Sequence, residues 1–249
     1  MLKRIWILLL LLPTTMVGQR NVQDSLLKAI HVGFSYGFQL PGGDMSTRFG
    51  ANGSLGLQLN VKSTENWFYG VDATALIGDN VKEPGLIGNL LTERDEIIDN
   101  EGKIADVRIQ ERGYTVMATG GKLFDVIGPN PNSGILVKGG IGFIQHKIRF
   151  EHQFNRITQL EDPYVKGYDR LTNGLALSQF VGYFHMSNNR LANFFVGVEA
   201  FEGFTQGRRD INFDTGIVDD QPRFDALVGF RAGWVIHFYQ RVGQEFYFN

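Results

Sequence analysis

FDALVGFRAGWVIHF, residues 224–238, alternates without a slip. Phe224, Ala226, Val228, Phe230, Ala232, Trp234, Ile236 and Phe238 fall on one parity; Asp225, Leu227, Gly229, Arg231, Gly233, Val235 and His237 fall on the other. Period two marks a β-strand with one apolar face and one small or polar face. A strand of a water-soluble sandwich buries its apolar face and covers the other with polar side chains, and glycines cover nothing. Glycines suit a crowded lumen. The pattern therefore predicts a transmembrane β-barrel with Phe224, Val228, Phe230, Trp234, Ile236 and Phe238 toward lipid. At about 15 residues the strand exceeds the roughly 9–11 that cross a bilayer obliquely, so one end should project. On this reading Val228→Arg costs roughly 2–4 kcal/mol near the midplane and Gly229→Ser much less.

Seven further stretches repeat the logic. Ile30 to Leu40 sets Ile30, Val32, Phe34, Tyr36, Phe38 and Leu40 against His31, Gly33, Ser35, Gly37 and Gln39, and a turn at Pro41 to Asp44 ends it. Phe49 to Val61 sets Phe49, Ala51, Leu55, Leu57, Leu59 and Val61 against Asn52, Ser54, Gly56, Gln58 and Asn60. After a tight turn at Ser63 to Asn66, Trp67 to Ile77 places Phe68, Gly70, Asp72 and Thr74 inward. Tyr114 to Gly121 follows, with its polar upstream part from Arg108 to Arg112 projecting beyond lipid. From Ile135 the outward residues are Val137, Ile141 and Phe143, and past Ile144 the parity flips, which predicts a bulge or an exit from the membrane. Gly174 to Met186, with Gln179 on its apolar face, and Phe194 to Phe201 complete eight strands.

The connections alternate in length. Pro41 to Gly50, Gly78 to Asp106, Glu151 to Asn173 and Thr205 to Arg223 include the three long ones, and the others are compact. An even strand count with long external loops and short periplasmic turns describes an all-β, eight-stranded antiparallel up-and-down barrel. Trp67, Tyr69 and Trp234 lie near the periplasmic strand ends, where an interfacial aromatic girdle sits. Gly78 to Asp106 carries eight acids against three basic residues and reads as a polar loop; Asp99 to Gly102 within it has the residues of a turn tip rather than of a calcium site.

The chain opens with Lys3 and Arg4, an apolar run from Ile5 to Leu12, then Pro13 and small or polar residues to Gly18. These are the parts of a cleaved signal peptide, residues 1–18. A short periplasmic segment, 19–29, then leads into the barrel, 30–239, and a tail, 240–249. Without Lys3 and Arg4, the 24 basic residues become 22 against 26 acidic ones, a net charge of −4 that offers nothing to nucleic acid. No cysteine is present, which excludes disulfides and thiolate chemistry. The 31 glycines and 20 phenylalanines in a chain only 43% hydrophobic fit alternating strands.

With these strands in place, the chain resembles the small eight-stranded outer-membrane proteins of OmpA and OmpX architecture. RLTNGLALSQFVGY (170–183) and NNRLANFFVGVEAFEGFTQGRRDINFDT (188–215) resemble outer-membrane barrels of Bacteroidota. The resemblance implies a protein of the cell outer membrane, monomeric as a barrel, whose partners are lipids. It implies no activity. Small barrels of this kind commonly end on an aromatic residue, whereas here QRVGQEFYFN follows Tyr239.

For function, Asp72, Lys138, Glu199 and Arg231 share inward parity at similar height and should neutralise one another as a plug, since eight strands leave room only for side chains. The reading is a non-enzymatic envelope component acting through external loops. The alternative is a subunit of a larger envelope machine, such as the Bacteroidota secretion and gliding apparatus, with periplasmic lipoproteins as partners. A narrow pore or a rim enzyme are further alternatives. His146, His152, Asp162, Asp169 and Ser178 would be the enzyme's raw material, but their spacing forms no constellation, so no catalytic residue, cofactor or metal is assigned. His31, His185 and His237 read as polar lining, without the spacing of a zinc site.

Overall fold

The computed structural model describes residues 26–152, 156–189 and 192–239. The signal peptide 1–18, the tail 240–249 and all but residues 26–29 of the segment 19–29 lie outside the described residues. The strands are β1 (Ala29–Gly43), β2 (Asn52–Lys62), β3 (Trp67–Gly78), β4 (Ile97–Ile98), β5 (Ile104–Ala105), β6 (Arg108–Phe124), β7 (Gly134–Glu151), β8 (Thr172–His185), β9 (Phe194–Gly207) and β10 (Pro222–Tyr239). Apart from β4 and β5, which form a separate two-stranded sheet, each strand is antiparallel to its neighbours in the order β1-β10-β9-β8-β7-β6-β3-β2, and the ring closes on itself.

Closure leaves no unpaired sheet edge, which is what a strand needs in a medium without water. The outward parity is apolar around the ring. In hydrogen-bonded register, Phe38 lies opposite Phe230, Phe230 opposite Val198, Val198 opposite Val181 and Val181 opposite Val137. All five are exposed, Phe230 to 69%. A continuous apolar belt on this scale is not a surface that water tolerates, and lipid is its natural solvent. At the end with the tight turns, the rings of Trp67 and Tyr69 stack at 6.3 Å and Lys122 Nζ stands 4.8 Å over Trp67. Trp234 of β10 lies opposite Phe34 of β1 and Phe194 of β9.

Several expectations are corrected. Strand β1 does not break at Pro41 but runs to Gly43, with Pro41 opposite Leu227. Pairing to β2 ends at Gln39, so the proline lies beyond that ladder and costs it no hydrogen bond. The chain turns at Gly43, φ 59°, into the short helix α1 (Met45–Arg48). Phe49 is not a lipid-facing residue of β2: it is fully buried, beside the His146 ring at 5.5 Å. No bulge follows Ile144. Register is unbroken from Phe124↔Ile135 to Arg108↔Glu151, and Ile144, His146, Ile148 and Phe150 continue the inward row of Lys138 and Gly142. What changes is the chemistry of the interior, which toward the loop end sets apolar side chains around buried polar pairs such as Asn52–Glu111 and His146–Asp225.

That change has a cause in the loops. Leu86, Ile97 and Ala105 of the acidic 79–107 connection are buried with Ile148, Phe150, Leu160 and Tyr168 in one cluster that continues down to Met117 and Phe201 inside the barrel. The segment is a packed cap and not a free polar loop. Gly50 N–H donates to Asn80 O at 2.8 Å, Lys82 N–H to Arg48 O at 2.7 Å, Asn100 N–H to Arg156 O at 2.9 Å and Phe213 N–H to Gly167 O at 2.9 Å, so each long connection is tied to another. The turn tip at Asp99 has Asp99 Oδ1 accepting from the N–H of Glu101 and Lys103, with Gly102 at φ 80°.

Gly229 is more constrained than its parity suggests. A Cβ there would stand 2.0 Å from Phe38 O and 2.7 Å from Gln39 Cα, so the strands approach over a position that admits no side chain. Both Val228→Arg and Gly229→Ser should therefore destabilise, the first by roughly 2–4 kcal/mol from charge in lipid and the second by roughly 1–3 kcal/mol from overpacking. Urea unfolding of the vesicle-reconstituted protein, followed by tryptophan fluorescence, measures both; a neutral Gly229→Ser would contradict the close approach of β10 and β1.

Candidate functional site

The bore is organised in layers. Inward parity on β3, β7, β9 and β10 brings Asp72, Lys138, Glu199 and Arg231 together in the middle. Lys138 Nζ donates to both oxygens of Asp72, at 3.1 and 3.0 Å, and to Asn60 Oδ1 at 3.2 Å. Arg231 Nη1 reaches Asp72 Oδ2 and Glu199 Oε2, each at 3.3 Å, while its Nε donates to Ser35 Oγ at 2.9 Å. Gln39 Nε2 donates to Glu199 Oε1 at 2.7 Å. The chain of bonds from Asn60 to Gln39 thus crosses six of the eight walls. Asp72 is its centre, shared by both cations.

Asn60, Ser35 and Gln39 were legible as inward residues, but nothing in their spacing marks them as partners of the charges. The network also does not fill the bore. Two small cavities, each with room for about one water molecule, flank it, both bounded by Asp72, Lys138, Phe180 and Arg231; the first reaches His31 and Phe184, the second Thr74, Met117 and Phe201.

Beyond each cavity an apolar layer closes the way. Toward the turn end Leu27, Leu123, Leu136, Phe184, Met186 and Val235 pack together. There Lys62, fully buried, donates from Nζ to Leu27 O at 3.1 Å and Asn132 Oδ1 at 2.9 Å, fastening the first described residues across the opening. His31 sits among aromatic rings, 4.4 Å from His237, 5.3 Å from Phe68 and 5.5 Å from Phe184. The expectation of a simple polar lining is thus replaced, at this end, by an aromatic packing layer. His185 lies outside it, against Phe194 at 5.1 Å. Toward the loop end Leu76, Met117, Ile144, Ala176, Phe201 and Leu227 form the second layer, continuous with the cap.

The residues considered for a rim enzyme are dispersed. His146 Nε2 is 2.9 Å from Asp225 Oδ2, which also accepts from Thr205 Oγ1 at 2.5 Å, in a wholly buried group beneath Phe49. Asp169 is held by Arg209 through Nε at 2.7 Å. Ser178 lines the upper cavity, Asp162 is exposed in the 152–171 connection and His152 follows the end of β7. Among the described residues no three His, Cys, Asp or Glu side chains gather as a metal site.

In the cap, four arginines interlock with four acids. Arg48 pairs with Glu83 at 2.8 Å and Asp219 at 2.6 Å, Arg223 with Asp219 at 2.6 Å, Arg170 with Asp214 at 2.5 Å and Arg209 with Asp169. The hydrogen bond to Asp169 raises the Arg209 guanidinium above its usual value. Burial pushes the Asp219 carboxyl upward, but Arg223 and Arg48 outweigh it and hold the carboxyl below its usual value. Sequence reading missed this cluster because its members come from all the long connections.

No family model and no curated protein matches the chain. Among solved structures, Ail, the attachment invasion locus protein of Yersinia pestis in complex with the heparin analogue sucrose octasulfate, is 12% identical with a TM-score of 0.39, covering 84% of this chain and 99% of that one. Neisserial surface protein A is 11% identical with a TM-score of 0.37, covering 82% and 95%. The outer membrane protein OprG from Pseudomonas aeruginosa is 12% identical with a TM-score of 0.35, covering 88% and 100%. Likeness at this level concerns the fold alone. The closed ring and its apolar exterior define the class by themselves: an eight-stranded membrane-spanning β-barrel with long loops at one end and short turns at the other.

Two outcomes follow. Asp72→Asn removes the carboxylate on which two buried cations depend and should cost about 3–5 kcal/mol, more than Glu199→Gln, after which Arg231 keeps Asp72; Glu199 and Arg231 should show coupling in a double-mutant cycle read by urea unfolding. Because the Asp219 carboxyl is depressed, its contribution is present above its unfolded value, roughly pH 3.9, and is lost as pH falls through the folded value. Pepsin cleavage within 208–221 should accordingly appear only below about pH 4 and be absent at pH 5; cleavage already at pH 5 would contradict the Arg48–Asp219–Arg223 clamp.

Proposed function

We propose that this chain is a monomeric integral barrel of the cell outer membrane, exported by its N-terminal signal, with a closed bore and no chemistry of its own, acting through the folded cap it presents outside the cell. The observation that carries this reading is the continuity of the seal: an apolar layer at each end of the charged network, the upper one merging with loop residues Leu86, Ile97, Leu160 and Tyr168. A barrel built to pass solute would line its path with polar groups. A barrel built to display a surface needs a stiff base, and loops fixed by hydrophobic packing supply an ordered surface at lower entropic cost on binding than free ones.

The test is electrical. Planar bilayers containing the purified protein should show no steady conductance, and neither should Asp72→Asn/Lys138→Gln, because the apolar layers remain when the charges are gone. Stable ion-selective channels in the wild type would move the reading to a narrow pore. The same preparation should migrate differently on gels before and after boiling, as a closed barrel resists detergent until heated.

One observation favours the second reading, a subunit of a larger envelope machine. Val126 and Ile127, on the turn between β6 and β7, are 76% and 62% exposed at the periplasmic end. A periplasmic lipoprotein covering them would co-purify in stoichiometric amount from native membranes in mild detergent and be lost from Val126→Asp/Ile127→Asp; purification of the barrel alone decides against it.

A further inference from the structure

The cap holds a small cavity with walls from Arg48, Arg170, Thr172, Arg209, Asn212 and Asp219. Three guanidinium groups thus face one carboxylate. The acids that hold these arginines mostly stand away from it: Glu83, Asp214 and Asp169 bind Arg48, Arg170 and Arg209, and none of the three lines the cavity. Asp219 does, but its Oδ2 is shared by Arg48 and Arg223 at 2.6 Å each. The acids orient the forks while leaving the walls with an excess of positive charge.

A second observation points to a ligand. The Arg170 side chain is only 5% exposed, yet its Nη1 has no hydrogen-bond partner among the described residues. A buried N–H of a charged group is costly to leave unpaired, and such groups are nearly always satisfied. The same cavity is lined by Thr172, whose hydroxyl accepts from Arg48 Nη1 at 3.2 Å, and by the buried Asn212. Guanidinium forks match the oxygens of tetrahedral oxyanions.

We propose that this cavity is an oxyanion site on the outer cap, taking a phosphoryl or sulfuryl group with Arg170 Nη1 as its unpaired donor and Arg48 and Arg209 completing the charge. Its biological meaning rests on the reading of the cap as the working surface; its binding in detergent does not depend on that reading or on the closed bore. The group comes either as a free ion or attached to a saccharide.

The full chain in mild detergent, at constant ionic strength in chloride, is titrated calorimetrically with inorganic phosphate, inorganic sulfate and glucose 1-phosphate. Saturable binding to at least one is expected, weakened at least tenfold by Arg170→Gln and by Arg170→Lys and unchanged by Arg156→Gln, an exposed arginine of the same connection that does not line the cavity. Binding of the inorganic ions assigns the free group as sufficient; binding of glucose 1-phosphate alone assigns a saccharide-borne one. Should Arg170→Gln fail to give the heat-modifiable barrel, Arg209→Lys takes its place with the same expected loss. No saturable binding to any of the three, or equal binding by the variants, overturns the site and leaves the conductance test of the closed bore untouched.

Discussion

A strand in lipid has no water to satisfy its amide groups, so every backbone N–H and C=O in the belt must be bonded within the sheet. Eight strands meet this condition by closing, β1 onto β10, and the closure fixes almost everything else. It sends one parity of each strand into solvent-free hydrocarbon and the other into a bore so narrow that backbone crowds backbone. The absence of a side chain at Gly229, with Phe38 O in the place of its Cβ, is a direct result.

A narrow bore must still be occupied, and here occupation is divided by chemistry. Apolar layers close both ends, and between them two cations and two anions bind each other with Asp72 at the centre. Charges at that depth are tolerable because Asp72 is held by both cations and the other three are each paired and also bonded to a neutral neighbour, Asn60, Ser35 or Gln39. Such a crossing of six walls adds little net stability, since replacing buried ion pairs by well-packed apolar side chains of similar volume is often neutral or stabilising. The cavities beside it mark the limit of that filling: the charged groups meet at the axis without the interdigitation that aliphatic side chains achieve.

At the loop end the same apolar filling does not stop at the rim. Ile148 and Phe150 rise on β7 into the cap and are covered by side chains from three separate connections. This is why the inner row of β7 reads as a parity flip in sequence. Alternation reports which residues differ from their neighbours in polarity, and when the interior itself becomes apolar the inward residues look like lipid-facing ones although the backbone has not moved. Phe49 misled in the same way, being an aromatic next to a strand whose burial is supplied by Val81 and the His146 ring, far off in sequence.

The sequence by itself determined the strand number, the up-and-down order, the two faces of each strand, the unequal loops and the inward placement of Asp72, Lys138, Glu199 and Arg231, because period two is a local property of an extended chain and needs only the immediate neighbours to be read. Tertiary structure alone decided which charges touch, that Asn60, Ser35 and Gln39 join them, that Arg48, Arg170 and Arg209 converge on one cavity and that the long loops fold into a cap. Those are contacts between residues 32 to 196 positions apart, set by the shear of the closed ring and by side-chain reach, and no periodicity within a single stretch records them.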